Sequence, residues 1–507
     1  MHELKRPLPF SGGLALQPHK ALSTETPVAK LGLPEKLVIA MTQHAGPPAQ
    51  PVVRPGQLVA RGQLVGRAVD AGSVAAHASE AGTVLAIEER LVPTGTHLVK
   101  SLCVIIATDA HGSSNAALSG TSWPTDRAGR LAAIRDGGLV GLGGASFPTA
   151  VKLGAERRCD TLILNGAECE PYISCDDMLM REHAHSVLDG ALVMLELLRA
   201  DRCIVAIERD KTAALEAVRA DLRARGDARL VLAPIPTLYP AGGERQLVES
   251  LLGKEVPSGC YPIDLGVICQ NVGTAHALAQ LVSRGQPLLS RIVTVTGHGL
   301  HAPQNVEAPI GTPIRNLIEH CGGFANDACQ LILGGNMMGY ALPSDDIPVT
   351  KSTNCIIALS AGEAWMGGHE WPCIRCGECA EACPARLLPQ ELLRAARAPR
   401  FSVLADLGLA DCIECGCCDV VCPSHIPLTA ILRTAKHDLD AHLDHVHRAA
   451  AAEDRYARHL SRKAQTSDQV QQEQERLKAA LGHDAASQQA AIEAAIERAR
   501  RRRDERA

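Results

Sequence analysis

Aromatic residues are scarce: the chain of 507 residues holds four Phe, five Tyr and three Trp. Its cores must be built from Leu, Val, Ile and Ala, and few rings are left to stack on bases. The charge balance is slightly acidic, 51 Lys and Arg against 56 Asp and Glu, which also argues against a nucleic-acid binder. Long apolar runs are missing. The charge-free stretch between Asp264 and Arg284 is interrupted by Gln270, Asn271, His276 and Gln280, whereas a spanning helix needs about 18 apolar residues. Near the start, His2, Glu3, Lys5 and Arg6 have no apolar segment behind them, so nothing there reads as a secretory signal. What remains is ordinary soluble usage, 46% hydrophobic and 21% charged, enough for sizeable cores. The length predicts roughly two to four domains.

Short Val, Leu and Ile runs punctuated by glycine fill Pro51 to Glu89 (PVVRPGQLVARGQLVG, then VAAHASEAGTVLAIEE), the signature of a small β module of paired hairpins. It resembles the barrel-sandwich hybrid of lipoyl and biotinyl carriers. No lysine lies between Lys36 and Lys100 to carry a swinging arm, so the module reads as scaffold. His111 to Asp126, rich in Ser, Gly, Ala and Thr, reads as a linker, with a new domain beginning near Arg127. From there to about Arg284, expected helices (Ala184 to Leu198, Lys211 to Arg225) alternate with apolar runs at Thr161–Leu164, Cys203–Ile207 and Leu230–Leu232, which implies an α/β domain. The β-rich run Arg291–Gly297 and an expected helix at Ile314–His320 suit a small β-grasp-like unit. Beyond Ala449 the chain is Ala, Glu, Gln, Arg and Lys with few large apolar residues, ending in Arg498, Arg500 to Arg503 and Arg506. That tail reads as a solvated helix or disorder, with anionic lipid or an acidic partner as the functional alternative for its arginines.

Nine of the nineteen cysteines fall between Cys373 and Cys422. Cys373-x2-Cys376-x2-Cys379-x3-Cys383-Pro384 is repeated as Cys412-x2-Cys415-x2-Cys418-x3-Cys422-Pro423, the pattern of bacterial two-cluster ferredoxins. In that pattern the fourth cysteine serves the other cluster. Cys373, Cys376, Cys379 and Cys422 are therefore assigned to one [4Fe-4S] cluster, and Cys383, Cys412, Cys415 and Cys418 to the second, with Cys417 spare. Two structural zinc sites are the bland alternative, disfavoured by two complete runs that each close in Cys-Pro. No C-x3-C-x2-C run points to radical chemistry on S-adenosylmethionine.

The second signal is Gly141-Leu142-Gly143-Gly144-Ala145-Ser146-Phe147-Pro148, followed by Lys152. It fails as a dinucleotide fingerprint, because Ser146 stands at the third glycine position. Its glycines still allow backbone to approach a phosphate, a helix starting near Pro148 would offer N–H groups, and Lys152 adds charge. By itself it could be a tight turn. Asn165-Gly166-Ala167-Glu168-Cys169-Glu170-Pro171 follows an apolar run, placing an amide and two carboxylates at the end of a strand, where α/β sheets bind ligands. Tyr239-Pro240-Ala241-Gly242-Gly243-Glu244 and Gln270-Asn271-Val272-Gly273-Thr274 add further loop groups; each separately suits a satisfied turn. Cys169 and Cys175 lie close by and read as packing.

These motifs, GLGGASFPTAVKL, NGAECEPYISCDD, YPAGGERQLVESLLGKEVPSG, QNVGTA, VTVTGHG, GGNMMGYALP and the two cysteine runs, resemble the RnfC component of Rnf-type ion-translocating oxidoreductase complexes over about residues 1–435. The middle of the chain is similar to the NADH-binding flavoprotein subunit of respiratory complex I. The resemblance implies a multidomain α/β architecture: a barrel-sandwich-hybrid module (1–110), a complex I flavoprotein-like FMN/NADH domain (127–285), a soluble-ligand-binding β-grasp module (290–345), an α-helical two-[4Fe-4S] domain (365–435) and a charged tail (440–507). It further implies Gly141, Gly143, Gly144 and Lys152 at the FMN phosphate. Asn165, Glu168, Gly242, Gly243, Glu244, Asn271 and Thr274 would surround the flavin, with Phe147 stacking nicotinamide and Glu170 meeting ribose. The chain departs from the complex I pattern at Leu142 (arginine there), Ala167 (aspartate) and Gly243 (glutamate).

A two-electron carrier beside one-electron clusters leads to one expectation: NADH gives hydride to FMN, and electrons pass singly through the clusters. The resemblance implies membrane subunits as partners, an iron–sulfur subunit among them, and peripheral docking on the cytoplasmic side of the inner membrane. Two alternatives stand beside it. The chain could be an iron–sulfur adaptor without nucleotide chemistry, which bound flavin would distinguish, or a scaffold whose clusters are structural.

Overall fold

The computed structural model describes residues 2–4, 7–109, 123–364, 369–398, 400–480 and 485–504. Residues 111–122 of the linker expected at 111–126, and the terminal Arg506, lie outside them. The chain divides into two units, Met1–Arg433 and Thr434–Ala507.

At the centre of the first unit is a five-stranded parallel sheet. Its order is His2–Glu3, Leu230–Ile235, Arg202–Glu208, Thr161–Gly166, Val267–Asn271. Strands buried on both faces need near-continuous apolar runs, and alternate residues serve opposite layers. Leu162, Leu164, Val205, Ile207 and Leu232 pack with the helices Cys175–Leu198, Thr212–Arg225 and Val272–Arg284. Ile163, Ile204, Ala206, Ala233 and Ile235 pack beneath the helix Glu244–Leu252. The first and last of the three helices press so closely at Gly190 that a Cβ there would lie 1.8 Å from the Ala275 carbonyl oxygen.

The first helix starts at Cys175, well before the expected Ala184, and kinks at His183 (φ −132°, ψ 29°). The reason is a remote cap: the Glu168 carboxylate accepts from the N–H groups of Asp176 (2.9 Å) and Asp177 (3.2 Å), satisfying donors that the helix cannot satisfy itself. Asp126 caps Arg127–Asp136 in the local way, accepting from the Gly129 N–H at 2.8 Å.

Two small antiparallel sheets form the hairpin module. One runs Lys36–Ala40, Leu98–Thr108, Gly82–Pro93, Leu58–Val59, and the other Gln50–Pro51, Leu64–Arg67, Ala76–His77. Earlier residues go elsewhere: His2–Glu3 edges the central sheet and Ala29–Lys30 joins the β-grasp sheet. That six-stranded mixed sheet carries Ser290–Thr296 and Gln304–Pro309 and extends beyond residue 345 to include Cys355–Ser360. Lys351 ties three modules together by donating to the Ala75 (2.8 Å) and Gly138 (2.7 Å) carbonyls; burial pulls its ammonium down to about 7. The cysteine-rich segment consists of short helices, Glu378–Glu381, Pro389–Arg397, Phe401–Asp406 and Cys417–Val420. The second unit holds the continuation of the helix Leu428–Ala480 and a further helix, Ala485–Asp504, both largely solvent-exposed.

Candidate flavin crevice and iron–sulfur centres

In chain order the central strands after residue 160 lie third, second, first, fourth. The order therefore reverses between Thr161–Gly166 and Val267–Asn271, and at such a switch point a crevice opens outside the C-terminal strand ends. Asn165 and Asn271 are ladder partners there. Asn165 donates to the Gly242 carbonyl (2.9 Å) and accepts from the Ala167 N–H (3.0 Å). Asn271 donates to Asp176 (2.6 Å) and accepts from the Gly273 N–H (2.8 Å), capping the helix behind it.

The glycine loop borders the same edge. Its neck is closed by the Gly141 N–H bonded to the Phe147 carbonyl (2.8 Å). Buried Thr274 holds it from below, accepting from the Leu142 N–H (2.9 Å) and donating to the Val140 carbonyl (3.3 Å). A Cβ on Gly143 would meet the Asn271 side chain at 3.4 Å, and Gly144, at φ +110°, has open space where a side chain would project. The helix behind the loop is only Thr149–Leu153, too short for much of a dipole. The charge comes instead from Lys152, paired with Glu244 at 2.7 Å. Hydrogen bonds, an ion pair and chain neighbourhood thus gather Gly141, Gly143, Gly144, Lys152, Asn165, Gly242, Gly243, Glu244, Asn271 and Thr274 at one strand-end edge, with Phe147 exposed at the loop tip.

The two carboxylates are occupied otherwise. Glu168 is the remote cap described above, and the Lys20 and Lys211 ammoniums both donate to its backbone carbonyl. Glu170 accepts from the N–H groups of Met337 (2.9 Å) and Met338 (2.7 Å), and burial raises its pKa. It therefore fastens the β-grasp loop to the crevice. Beside Glu168, burial and then its negative charge push Asp176 up to about 7. Half-buried Lys20 and buried Lys211 and Arg291 were not legible as site residues: Lys20 and Arg291 bond backbone carbonyls distant in sequence, and Lys211, paired locally with Glu208, reaches this region only through the distant Glu168 carbonyl.

The cysteine runs fold as two copies of one loop. Arg375 and Glu414 (φ 59° and 57°), Gly377 and Gly416 (90° and 78°), and Arg386 and His425 (54° and 51°) take the same left-handed turns. Each copy thereby turns its backbone around a small cavity. One cavity is lined by Cys373, Cys376, Cys379 and Cys422, the other by Cys383, Cys412, Cys415 and Cys418, with Cys417 beside them. The fourth thiols cross over. A tetrahedral zinc would bring its sulfurs to about 3.8 Å of one another. No three of these thiols lie within 4.8 Å of one another, so none of the sets is drawn in as a single zinc ion would need. The donor set fits two [4Fe-4S] clusters.

Comparison with known proteins finds four domain families along the chain. Residues 134–280 match the Nuo51 FMN-binding domain, 8–111 the RnfC barrel sandwich hybrid domain, 292–341 the SLBB domain and 372–426 the 4Fe-4S dicluster domain. The C subunit of the ion-translocating oxidoreductase complex of Rhodobacter capsulatus is 40% identical over 403 residues, 78% of this chain and 77% of that protein. This chain belongs to the RnfC family.

The RnfC protein of Pectobacterium atrosepticum is 39% identical over 497 residues, 97% of this chain and 70% of that protein. That of Pseudomonas aeruginosa is 42% identical over 395 residues, 76% of this chain but 49% of that protein, so the chain spans about half the length of that relative. A solved NAD+-reducing [NiFe]-hydrogenase in its air-oxidized state aligns at TM-score 0.44 and 20% identity, over 55% of this chain and 54% of that one. As a family member the chain combines an FMN-binding domain with a two-cluster iron–sulfur domain.

Proposed function

We propose that this RnfC-family chain passes electrons between NADH and a one-electron partner within a membrane-bound ion-translocating oxidoreductase complex. The observation that carries the reading is the presence, in one compact unit, of a switch-point crevice with a phosphate-competent loop and eight thiols arranged as two crossed quartets. FMN, when bound, converts the two-electron chemistry of a nicotinamide into single electrons for the clusters. The chain's own residues position it. The backbone at Gly141, Gly143 and Gly144, with Lys152, would hold the phosphate; Asn165, Asn271, Gly242, Gly243 and Glu244 would line the ring; Phe147 is offered for stacking the nicotinamide. Glu168, Glu170 and Thr274 hold the walls.

No helix among the described residues is long and apolar enough to cross a membrane. Ion movement then falls to membrane subunits of the complex, with this chain docked peripherally on the cytoplasmic side beside an iron–sulfur subunit. The test is anaerobic titration of the purified, reconstituted chain with NADH, following flavin absorbance and low-temperature paramagnetic resonance together. Flavin bleaching followed by reduced-cluster signals is expected. Clusters reducible by dithionite, with NADH inert after FMN reconstitution, would make the chain an iron–sulfur adaptor instead.

A further inference from the structure

The two cysteine quartets repeat in sequence but differ in surroundings, and the contacts of the crevice domain gather on one of them. Tyr239 is buried against Ala382, Cys415 and Cys417, with Cys169 and Met337 packed on the same cluster, and its hydroxyl donates to the Cys415 carbonyl at 2.6 Å. The Gly13 N–H bonds the Ala382 carbonyl (3.0 Å), and a Cβ on Gly12 would lie 2.7 Å from the Cys383 carbonyl. Gln246 donates to the Pro384 carbonyl at 3.4 Å. Arg386 pairs with Glu249 (2.6 Å) and Glu255 (3.3 Å), and Arg245 with Asp411 (3.5 Å). All of these contacts converge on the Cys383, Cys412, Cys415, Cys418 side.

The same short segment faces the crevice from its other end. Three residues after Tyr239, Gly242 receives the Asn165 amide on its carbonyl and bonds the Cys169 sulfur through its N–H at 3.3 Å. A single wall, Tyr239 to Gly242, thus borders both the crevice and this quartet.

The other quartet looks outward. Cys373 and Cys376 are exposed, and beside them Trp371 and Ile374 are 58% and 68% exposed. Among the described residues the polar contacts around it stay within its own segment: the Trp371 N–H on the Ser424 carbonyl (2.9 Å), the Ser424 hydroxyl on the Pro372 carbonyl (3.0 Å), and the Cys379 thiol on Gln390 (3.4 Å). Two large apolar side chains and two ligand thiols in solvent leave this quartet, unlike the other, open to an approaching protein.

Resting on the function proposed above, we infer a fixed order of carriers: crevice, then the Cys383/Cys412/Cys415/Cys418 cluster, then the Cys373/Cys376/Cys379/Cys422 cluster, then the Trp371–Ile374 rim. At that rim a protein one-electron carrier exchanges electrons with the chain. With the centres bound, each transfer would oxidise one by one electron and reduce its neighbour by one, with no bond made or broken between them, and two one-electron exchanges at the carrier would balance each nicotinamide. Tyr239 is a positioning residue that fixes the inner cluster against the crevice wall.

The full chain carrying Cys412→Ser is compared with one carrying Cys373→Ser. In Cys412→Ser, NADH bleaches the flavin yet fails to reduce the remaining cluster, which dithionite still reduces. In Cys373→Ser, NADH reduces the remaining cluster. The reverse pattern, or equal reduction in both, overturns the order. If a cysteine variant fails to assemble, the unmodified chain decides. Ile374→Asp shifts the potential of one resonance signal only, and in samples frozen at intervals after mixing with NADH that signal rises second. If it rises first, or together with the other, the order is wrong. If the flavin does not bleach, the NADH reading itself fails, and the entry end of the path fails with it.

Discussion

Lys211 and Glu208 form an ion pair at 2.8 Å with side-chain exposures of 2% and 1%. Burial works against the Lys211 charge, but Glu208, Glu168 and Asp210 outweigh it, and its pKa is raised; Lys211 therefore stays charged through neutral pH. Replacing Lys211 with Met strands Glu208 as a buried carboxylate, since neither of its oxygens has a hydrogen-bond partner beyond that ion pair. Breaking such a pair from one side costs about 3–5 kcal/mol. At about 2–4 °C per kcal/mol for a domain of this size, Lys211→Met should lower the unfolding midpoint by roughly 6–20 °C. Lys211→Met with Glu208→Leu should recover most of that, because exchanging a whole buried pair for apolar groups is often neutral. The assay is thermal unfolding followed by circular dichroism, with flavin retention recorded alongside, because Lys211 also holds the Glu168 carbonyl at the crevice. A single variant that melts with the parent, or a double variant no better than the single, would refute the reasoning.

Three further outcomes are expected. Lys152→Ala should weaken FMN binding by about 1.5–3 kcal/mol, the worth of a charge-assisted hydrogen bond, or roughly ten- to a hundred-fold, read by flavin fluorescence on the deflavinated chain; unchanged affinity removes Lys152 from the phosphate. Burial, then the Lys351 charge, lowers His44 to about 4, and burial, then His183, lowers His276 to about 4. The unfolded chain binds these protons first, so stability should be full above about pH 6.5 and fall as pH drops from there toward 4; denaturant melts at pH 7 and 5 check the sign. Because the fourth ligands cross, Cys373→Ser with Cys422→Ser should lose no more iron than either alone, whereas Cys412→Ser with Cys422→Ser should lose both clusters, as iron analysis will show.

The cysteine ligands were legible because their spacing is local: a loop that wraps a cluster must place its thiols within a few residues, and the same run occurs twice. The parallel sheet was legible for a similar reason, since strands such as Leu162–Leu164 and Cys203–Ile207 are buried on both faces. Glu168 and Glu170 were harder. Sequence places them at a strand end, but nothing local says that one caps a helix several residues on and the other reaches Met337 and Met338. The early start at Cys175 and the destinations of residues 2–3 and 29–30 escaped for the same physical reason: their partners lie far along the chain. Tyr239 read as a turn residue, and only the folded chain brings its hydroxyl to Cys415.

The segment before residue 31 runs through the molecule like a drawstring. His2 and Glu3 lie against Val231 and Leu232, Leu14 against Tyr239, Gly13 against Ala382, and Ala29 and Lys30 against Val306 and Glu307. Gly13 is thus made long before its partner, the Ala382 carbonyl, which lies about 370 residues further along the chain. Long-range closures of this kind are slow and leave edges exposed while they wait. Closing this segment, seating the inner cysteine loop and completing the Tyr239 wall therefore all wait on residues near 382, because they share the same contacts.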